Sequence, residues 1–170
     1  MSRAFQFQLE VLGIEPMKTM VLMLLSLVLP LKADRVAELD ALWAEVSRTV
    51  NEGDFEGYAA TCHPDAVLIS GKRQTSYPLA QALKKWKQEF DDTKSGKMKA
   101  EVVFRFSKRL GDATTAHETG MFRYTSTNAE GKTTTAYIHL IALLVKKDRW
   151  LVLMENQAKE GTKAEWDSLK

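Results

Sequence analysis

Residues 100–110 (AEVVFRFSKRL), 113–127 (ATTAHETGMFRYTST), 132–147 (KTTTAYIHLIALLVKK) and 150–157 (WLVLMENQ) decide the fold. Polar and apolar residues alternate along much of these stretches, which are rich in Val, Ile, Thr, Tyr and Phe, the signature of β-strands. Gly111-Asp112, Asn128 to Gly131 and the Lys147-Asp148 region separate them, and connections this short join antiparallel neighbours. The four strands therefore form a meander. Most strands have about five to six residues, so the three longest here imply a strongly twisted or bent sheet.

Upstream of Ala100 the period is 3.6. Val36, Leu39, Leu42, Trp43, Val46 and Val50 form the stripe of an amphipathic helix, with Asp34 as its cap and Gly53 at its end. Asp54 caps a second short helix running through Tyr58 to Cys62, which His63-Pro64 is expected to stop. Ala66 to Ser70 reads as a short strand and Gly71 to Thr75 as a turn or short returning strand. Pro78 starts a third helix with Leu79, Leu83, Trp86 and Phe90 on one face. Thr162 and Glu165 have capping-box spacing, which predicts a short helix around Trp166. Helices followed by a run of strands give an α+β class: a strongly curved antiparallel sheet, with four long C-terminal strands and short N-terminal ones, wrapped around three N-terminal helices.

The apolar run Met20 to Leu29, after Met17-Lys18 and before Lys32-Ala33, reads as a secretory signal used from an internal start. It is shorter than the roughly 20 apolar residues a membrane span needs. The expected organisation is a signal peptide at 1–33, a domain at 34–158 and a tail at 159–170, in a periplasmic or secreted protein. A retained N-terminal anchor is the alternative. With 24 basic and 22 acidic residues the charge is balanced, which argues against nucleic acid, or a membrane beyond the export signal, as a partner. The clusters Lys84, Lys85, Lys87 and Lys146, Lys147 read as solvated surface. Cys62 is the only cysteine, so neither an internal disulfide nor a thiolate zinc cage can form. His63 follows it directly, and adjacent residues on a helix point apart, which disfavours a Cys–His pair.

From Trp43 through Asn51-Glu52-Gly53-Asp54-Phe55 to His63-Pro64-Asp65-Ala66-Val67-Leu68-Ile69 the chain resembles the opening of nuclear-transport-factor-2-like proteins, the cystatin-like or SnoaL-like group. Gly120-Met121-Phe122-Arg123-Tyr124 and Trp150-Leu151-Val152 are similar to that family's final strands. The resemblance implies a cone-shaped domain with a pocket between sheet and helices, frequently a homodimer. It also implies a choice among isomerases, cyclases, epoxide hydrolases, dehydratases and non-catalytic binding modules, since fold alone does not fix activity. In the isomerase-like members a catalytic Asp ends the strand after Asp-Ala, where this chain has Ser70. A hydroxyl of ordinary pKa cannot abstract a carbon-bound proton, so that chemistry is not expected.

A four-residue connection at Asn128 to Gly131 would set Phe122 opposite Tyr137 and Gly120 opposite His139. A two-residue turn at Lys147-Asp148 would add Asn156 opposite His139. One sheet face then carries Glu118, Tyr124, Tyr137, His139, Met154 and Asn156, with Trp150 and Val152 beside them. On that face His139 can act as a base oriented by Glu118, with Tyr137 or Asn156 donating to an oxyanion. A simpler reading makes His139 a satisfied polar residue and pairs Glu118 with Arg105. Tyr58 and Trp86 would close the pocket from the helices, although aromatic stripes at helical spacing are commonly plain core. The opposite face would carry His117, Thr119 and Met121 beside Ile138, Leu140, Ala142 and Leu144, an apolar strip suited to a dimer contact. A bulge near Gly111-Asp112 would bring Phe104 and Phe106 to the His139 side.

His63, His117 and His139 lack metal-ligand spacing, and no phosphate loop, Gly-x-Ser-x-Gly elbow or His-Glu-x-x-His is present. No metal and no cofactor is expected. Three functions follow: a pocket protein binding a small, largely apolar molecule, a cyclase-, dehydratase- or hydrolase-type enzyme using His139 with Glu118 or Tyr137, and a homodimeric interaction module.

Overall fold

The computed structural model describes residues 34–169; the signal segment and the internal start fall on residues 1–33 and lie outside the described residues. Helix α1 (Arg35–Glu52) starts at Asp34, whose side chain accepts the Val36 N–H, and ends at Gly53 in the left-handed conformation, φ 67°. Its inward face is Leu39, Leu42, Trp43, Val46 and Thr49. Helix α2 (Phe55–Ala60) is capped by Asp54, which accepts from the Gly57 N–H. It stops before Cys62. Strand β1 (Cys62–Ser70) therefore includes His63 and Pro64, where the sequence predicts a helix end. Proline suits extended backbone and lacks an N–H to donate. The β1 pairing with its neighbour shifts register between Cys62 and Val67, the kind of irregularity at which a sheet accepts proline.

Strand β2 (Thr75–Pro78) returns beside β1 and leads into α3 (Leu79–Lys94). Four long strands follow: β3 (Lys99–Gly111), β4 (Thr115–Thr127), β5 (Thr133–Lys146) and β6 (Trp150–Glu160). Helix α4 (Lys163–Ser168) closes the described chain with the expected capping box between Thr162 and Glu165. The six strands make one curled, unclosed sheet in the order β2-β1-β6-β5-β4-β3. All neighbours run antiparallel except β1 and β6, which are parallel. Register shifts between Phe106 and Lys108, between Leu143 and Leu144, and between His139 and Leu140 bend the long strands.

Register determines what each face carries. The β4–β5 connection has five residues, so Thr127 pairs with Thr133, Phe122 with Ile138, Gly120 with Leu140 and Met121 with His139. A connection one residue shorter would pair Phe122 with Tyr137, and because side chains alternate, that single residue moves all of β5 to the other face. Ile138, Leu140, Ala142 and Leu144 thus face the helices. Leu140, Ala142 and Leu144 form one core with Leu39, Leu42, Trp43 and Val46, so the strip expected to contact a second copy is the floor of the protein's own interior. Phe104 and Phe106 pair with Phe122 and Gly120 beyond a register shift between Phe106 and Lys108 and join the helix-facing side; this is the face of Glu118, but His139, expected beside them, lies on the other face because of the β5 register.

Two tryptophan–glutamate pairs fasten α1 to the sheet. Trp43 Nε1 donates to Glu118 Oε2 at 2.5 Å, and Arg109 Nε donates to the other oxygen of Glu118. Glu118 has no exposed surface, and Arg109 also pairs with Asp40 on α1. Two strands away across the sheet, Trp150 Nε1 donates to Glu38 Oε2 at 2.6 Å and Lys146 pairs with the same carboxylate. Hydrogen bonds from Lys146 and then Trp150 hold the Glu38 carboxyl below its ordinary pKa. Removing one member of a buried ion pair strands the other. Glu118→Ala is expected to lower unfolding stability by about 3–5 kcal/mol in chemical denaturation, whereas a loss under about 1 kcal/mol, the range of an exposed pair, would mean that Glu118 is not buried with Arg109.

Candidate ligand cavity

Between α1, α2 and α3 on one side and the concave face of β3 to β6 on the other lies a cavity of about 250 Å³. Its walls are apolar: Trp43, Val46 and Val50 from α1, Tyr58 from α2, Trp86 and Phe90 from α3, and Val102, Phe104, Phe122, Tyr124 and Ile138 from the sheet. The rings are arranged edge to face and tilted. Tyr58 meets Trp86 at 6.1 Å and 86°, Tyr58 meets Phe90 at 5.2 Å, and Phe104 meets Phe122 at 6.1 Å, within the favourable range for aromatic pairs. Tyr58 and Trp86 meet because Gly53 turns α1 into α2 while α3 lies across both.

Few polar groups reach this space. Tyr58, Thr61 and Cys62 come from α2 and the start of β1, Glu89 and Thr93 from α3, Tyr124 from β4, and Glu155 and Gln157 from β6. Gln157 Nε2 donates to Glu155 Oε1 at 2.8 Å, and Tyr124 donates to Glu89 Oε2 at 3.4 Å. Burial disfavours the charged forms. It raises the Glu155 carboxyl, with the Gln157 hydrogen bond opposing, and pushes the Tyr58 hydroxyl well above its ordinary value. Cys62 is pushed up to about 12 by burial, and Tyr124 to about 12 by burial and then by Glu89. At neutral pH Cys62 is a protonated thiol, a poor nucleophile.

The sequence-derived site is divided by the sheet. Tyr58, Trp86 and Tyr124 line the cavity. Glu118 shares the concave face but is occupied by Trp43 and Arg109. Tyr137 and His139 are on the outer face, where α4 covers part of the sheet: His139 Nε2 lies 3.2 Å from Glu165 Oε1, and the Tyr137 ring is 6.1 Å from that of Trp166. His139 therefore meets neither Glu118 nor the cavity. Met154 and Asn156 pair with Leu143 and Ile141 and also face outward. Ser70, at the end of β1, sits opposite Gln157 and accepts the Arg73 N–H through its hydroxyl.

Glu155 and Gln157 escape sequence reading because of the register shift on β6. Trp150 and Val152 point inward with Leu144, yet beyond the shift Glu155 pairs with Ala142 and Gln157 with Leu140. The inward parity changes from even to odd within Leu151–Met154, four apolar residues whose uniformity hides the change. The passage from even apolar to odd polar positions is the only signal, and it needs the bulge to be readable.

A raised carboxyl titrates at higher pH folded than unfolded, so it contributes a stability that is full below the unfolded value and falls as pH rises toward the folded one. Glu155→Gln removes that loss. In thermal melts the variant is expected to gain on the wild type at pH 7 and to match it at pH 4; equal behaviour at both would mean that Glu155 is solvated.

No protein-family model and no curated protein matches the sequence. Solved structures do match the fold. A nuclear-transport-factor-2-like protein of unknown function from Shewanella oneidensis superposes with TM-score 0.54 at 20% identity, covering 71% of this chain and 96% of that one. ActVI-ORFA from Streptomyces coelicolor superposes with TM-score 0.56 at 14% identity over 71% and 93%. A protein from Catenulispora acidiphila in complex with S-DNPA superposes with TM-score 0.56 at 18% identity over 73% and 92%. The architecture is that of the nuclear-transport-factor-2-like fold.

Proposed function

We propose that this domain of nuclear-transport-factor-2-like fold is an exported pocket protein that binds a small, largely apolar molecule between its helices and its sheet. One observation carries the reading: a cavity of about 250 Å³ walled by aromatic and aliphatic side chains, with a few polar groups at Tyr58, Glu155 and Gln157. Ligand sites combine apolar walls with a few fixed polar groups, and the size suits a compact ligand. The structural neighbour holding S-DNPA supports a pocket role for such a fold. The apolar run Met20 to Leu29 supports export. Catalysis by His139 with Glu118 has no geometric support, since the two residues face opposite sides of the sheet.

Cyclohexylmethanol, a small neutral probe, is expected to bind the full chain in calorimetry and to shift tryptophan emission to the blue as it displaces water from Trp43 and Trp86. Ala100→Phe, which places a ring in the cavity, should abolish both signals while circular dichroism stays native. Undiminished binding by the folded variant would move the site elsewhere.

The outer face favours a second role, as a homodimer contact. Val67, Met154 and Leu143 form one row across β1, β6 and β5, and Ile69, Asn156 and Ile141 form the next. These apolar side chains are half-buried, and Asn156 Oδ1 is enclosed among them without a hydrogen-bond partner. Such a face suits a self-complementary contact. Sedimentation is expected to show a dimer that Ile141→Glu dissociates; a wild-type monomer at high concentration would remove this role.

A further inference from the structure

We propose that the cavity is built for an organic cation: a compact amine whose hydrocarbon body fills the aromatic cage and whose ammonium group sits against Glu155. The inference rests on the cavity being a ligand site and goes on to its charge. Three observations converge on it.

The first is the sign of the lining. Glu89 and Glu155 are the charged residues among those that form the walls, and no lysine, arginine or histidine is among them. A bound anion would face the Glu155 carboxyl in surroundings too apolar to screen it well, with Glu89 adding charge of the same sign at the exposed edge, so cations are favoured over anions.

The second is the state of Glu155. Carboxylates elsewhere in this structure commonly have cationic partners: Glu118 has Arg109, Glu38 has Lys146, Glu101 has Arg123, and Asp54 has Arg48. Among the described residues Glu155 has no such partner, and its side-chain hydrogen bond comes from the neutral amide of Gln157. A carboxyl turned into an apolar cavity without a counter-charge costs stability. An ammonium group supplied by a ligand removes that cost and leaves a charge-assisted hydrogen bond in its place.

The third is the cage. Tyr58, Trp86 and Phe90 form a contiguous edge-to-face cluster on the helical side, and Phe104, Phe122 and Tyr124 face them from the sheet. Aromatic faces carry negative potential and attract alkylammonium groups. Glu89, whose carboxylate accepts from Tyr124, is exposed on α3 and draws a cation toward the entrance.

The test uses three isosteric probes on the full chain by calorimetry: cyclohexylmethylamine, cyclohexylmethanol and cyclohexanecarboxylate at neutral pH. The amine is expected to bind roughly tenfold more tightly than the alcohol, and the carboxylate not to bind. Glu155→Gln, close in shape to the native side chain, should bring the amine to the affinity that the alcohol shows for the same variant. Equal affinities for amine and alcohol in the wild type, or a preference for the carboxylate, would overturn the cation assignment while leaving an apolar pocket standing. Binding of none of the three would overturn both. An amine preference that survives in Glu155→Gln would also overturn the assignment, because the charge would then be read elsewhere.

Discussion

The turn between β4 and β5 closes on one side chain. Asn128 Oδ1 accepts the N–H groups of Glu130, at 3.1 Å, and Lys132, at 2.9 Å, while the Asn128 N–H donates to the Lys132 carbonyl and Gly131 supplies the left-handed step, φ 77°. The loop is five residues long because of these bonds, and its length fixes which residues of β5 meet β4. Beyond it Thr127–Thr133 and Ser126–Thr134 join hydroxyl to hydroxyl at 2.9 Å. Further along, burial of Leu140 and Leu144 holds the same register from the other end. Exposing each would cost about 1.5–3 kcal/mol; a slip by one residue would bury Ile141 and Leu143 in exchange but would carry His139 inward with them.

Everything that makes a cavity follows from that parity. Even-numbered residues of β4 and β5 form the floor; odd-numbered ones, His139 among them, form the outside. The register shift on β6 then turns Glu155 and Gln157 inward where Trp150 and Val152 have pointed before. Above this floor α1 is held by Trp43 to Glu118 and by Trp150 to Glu38, one tryptophan on the helix and the other on the sheet. Hydrogen-bonded indoles set the helix in place laterally, which greasy contact alone would leave free to slide. The space left under α2 and α3 is therefore a product of fixed walls.

Much of the fold is legible in the sequence, because its signals are local. The alternation in residues 100–157, the Asp34 and Asp54 caps, Gly53 and the Thr162–Glu165 box each act within a few residues, and each appears where it is read. The site is less legible because it depends on long-range parity. A single extra loop residue at Lys132 separates His139 from Glu118, and a shift within Leu151–Met154 exchanges Asn156 for Glu155. Tyr58, Trp86 and Tyr124 are found from sequence because helical spacing and β4 itself place them, independent of the β5 register. Pro64 shows the converse: a residue that ends helices can also sit in a strand where the pairing is irregular.

Cross-strand proton–proton contacts in a NOESY spectrum of the isotope-labelled protein test this register most directly. Strong contacts between the backbones of Phe122 and Ile138, and between Met121 and His139, are the predicted result. Contacts of Phe122 with Tyr137 and of Gly120 with His139 would put His139 inside the cavity and contradict the site described above.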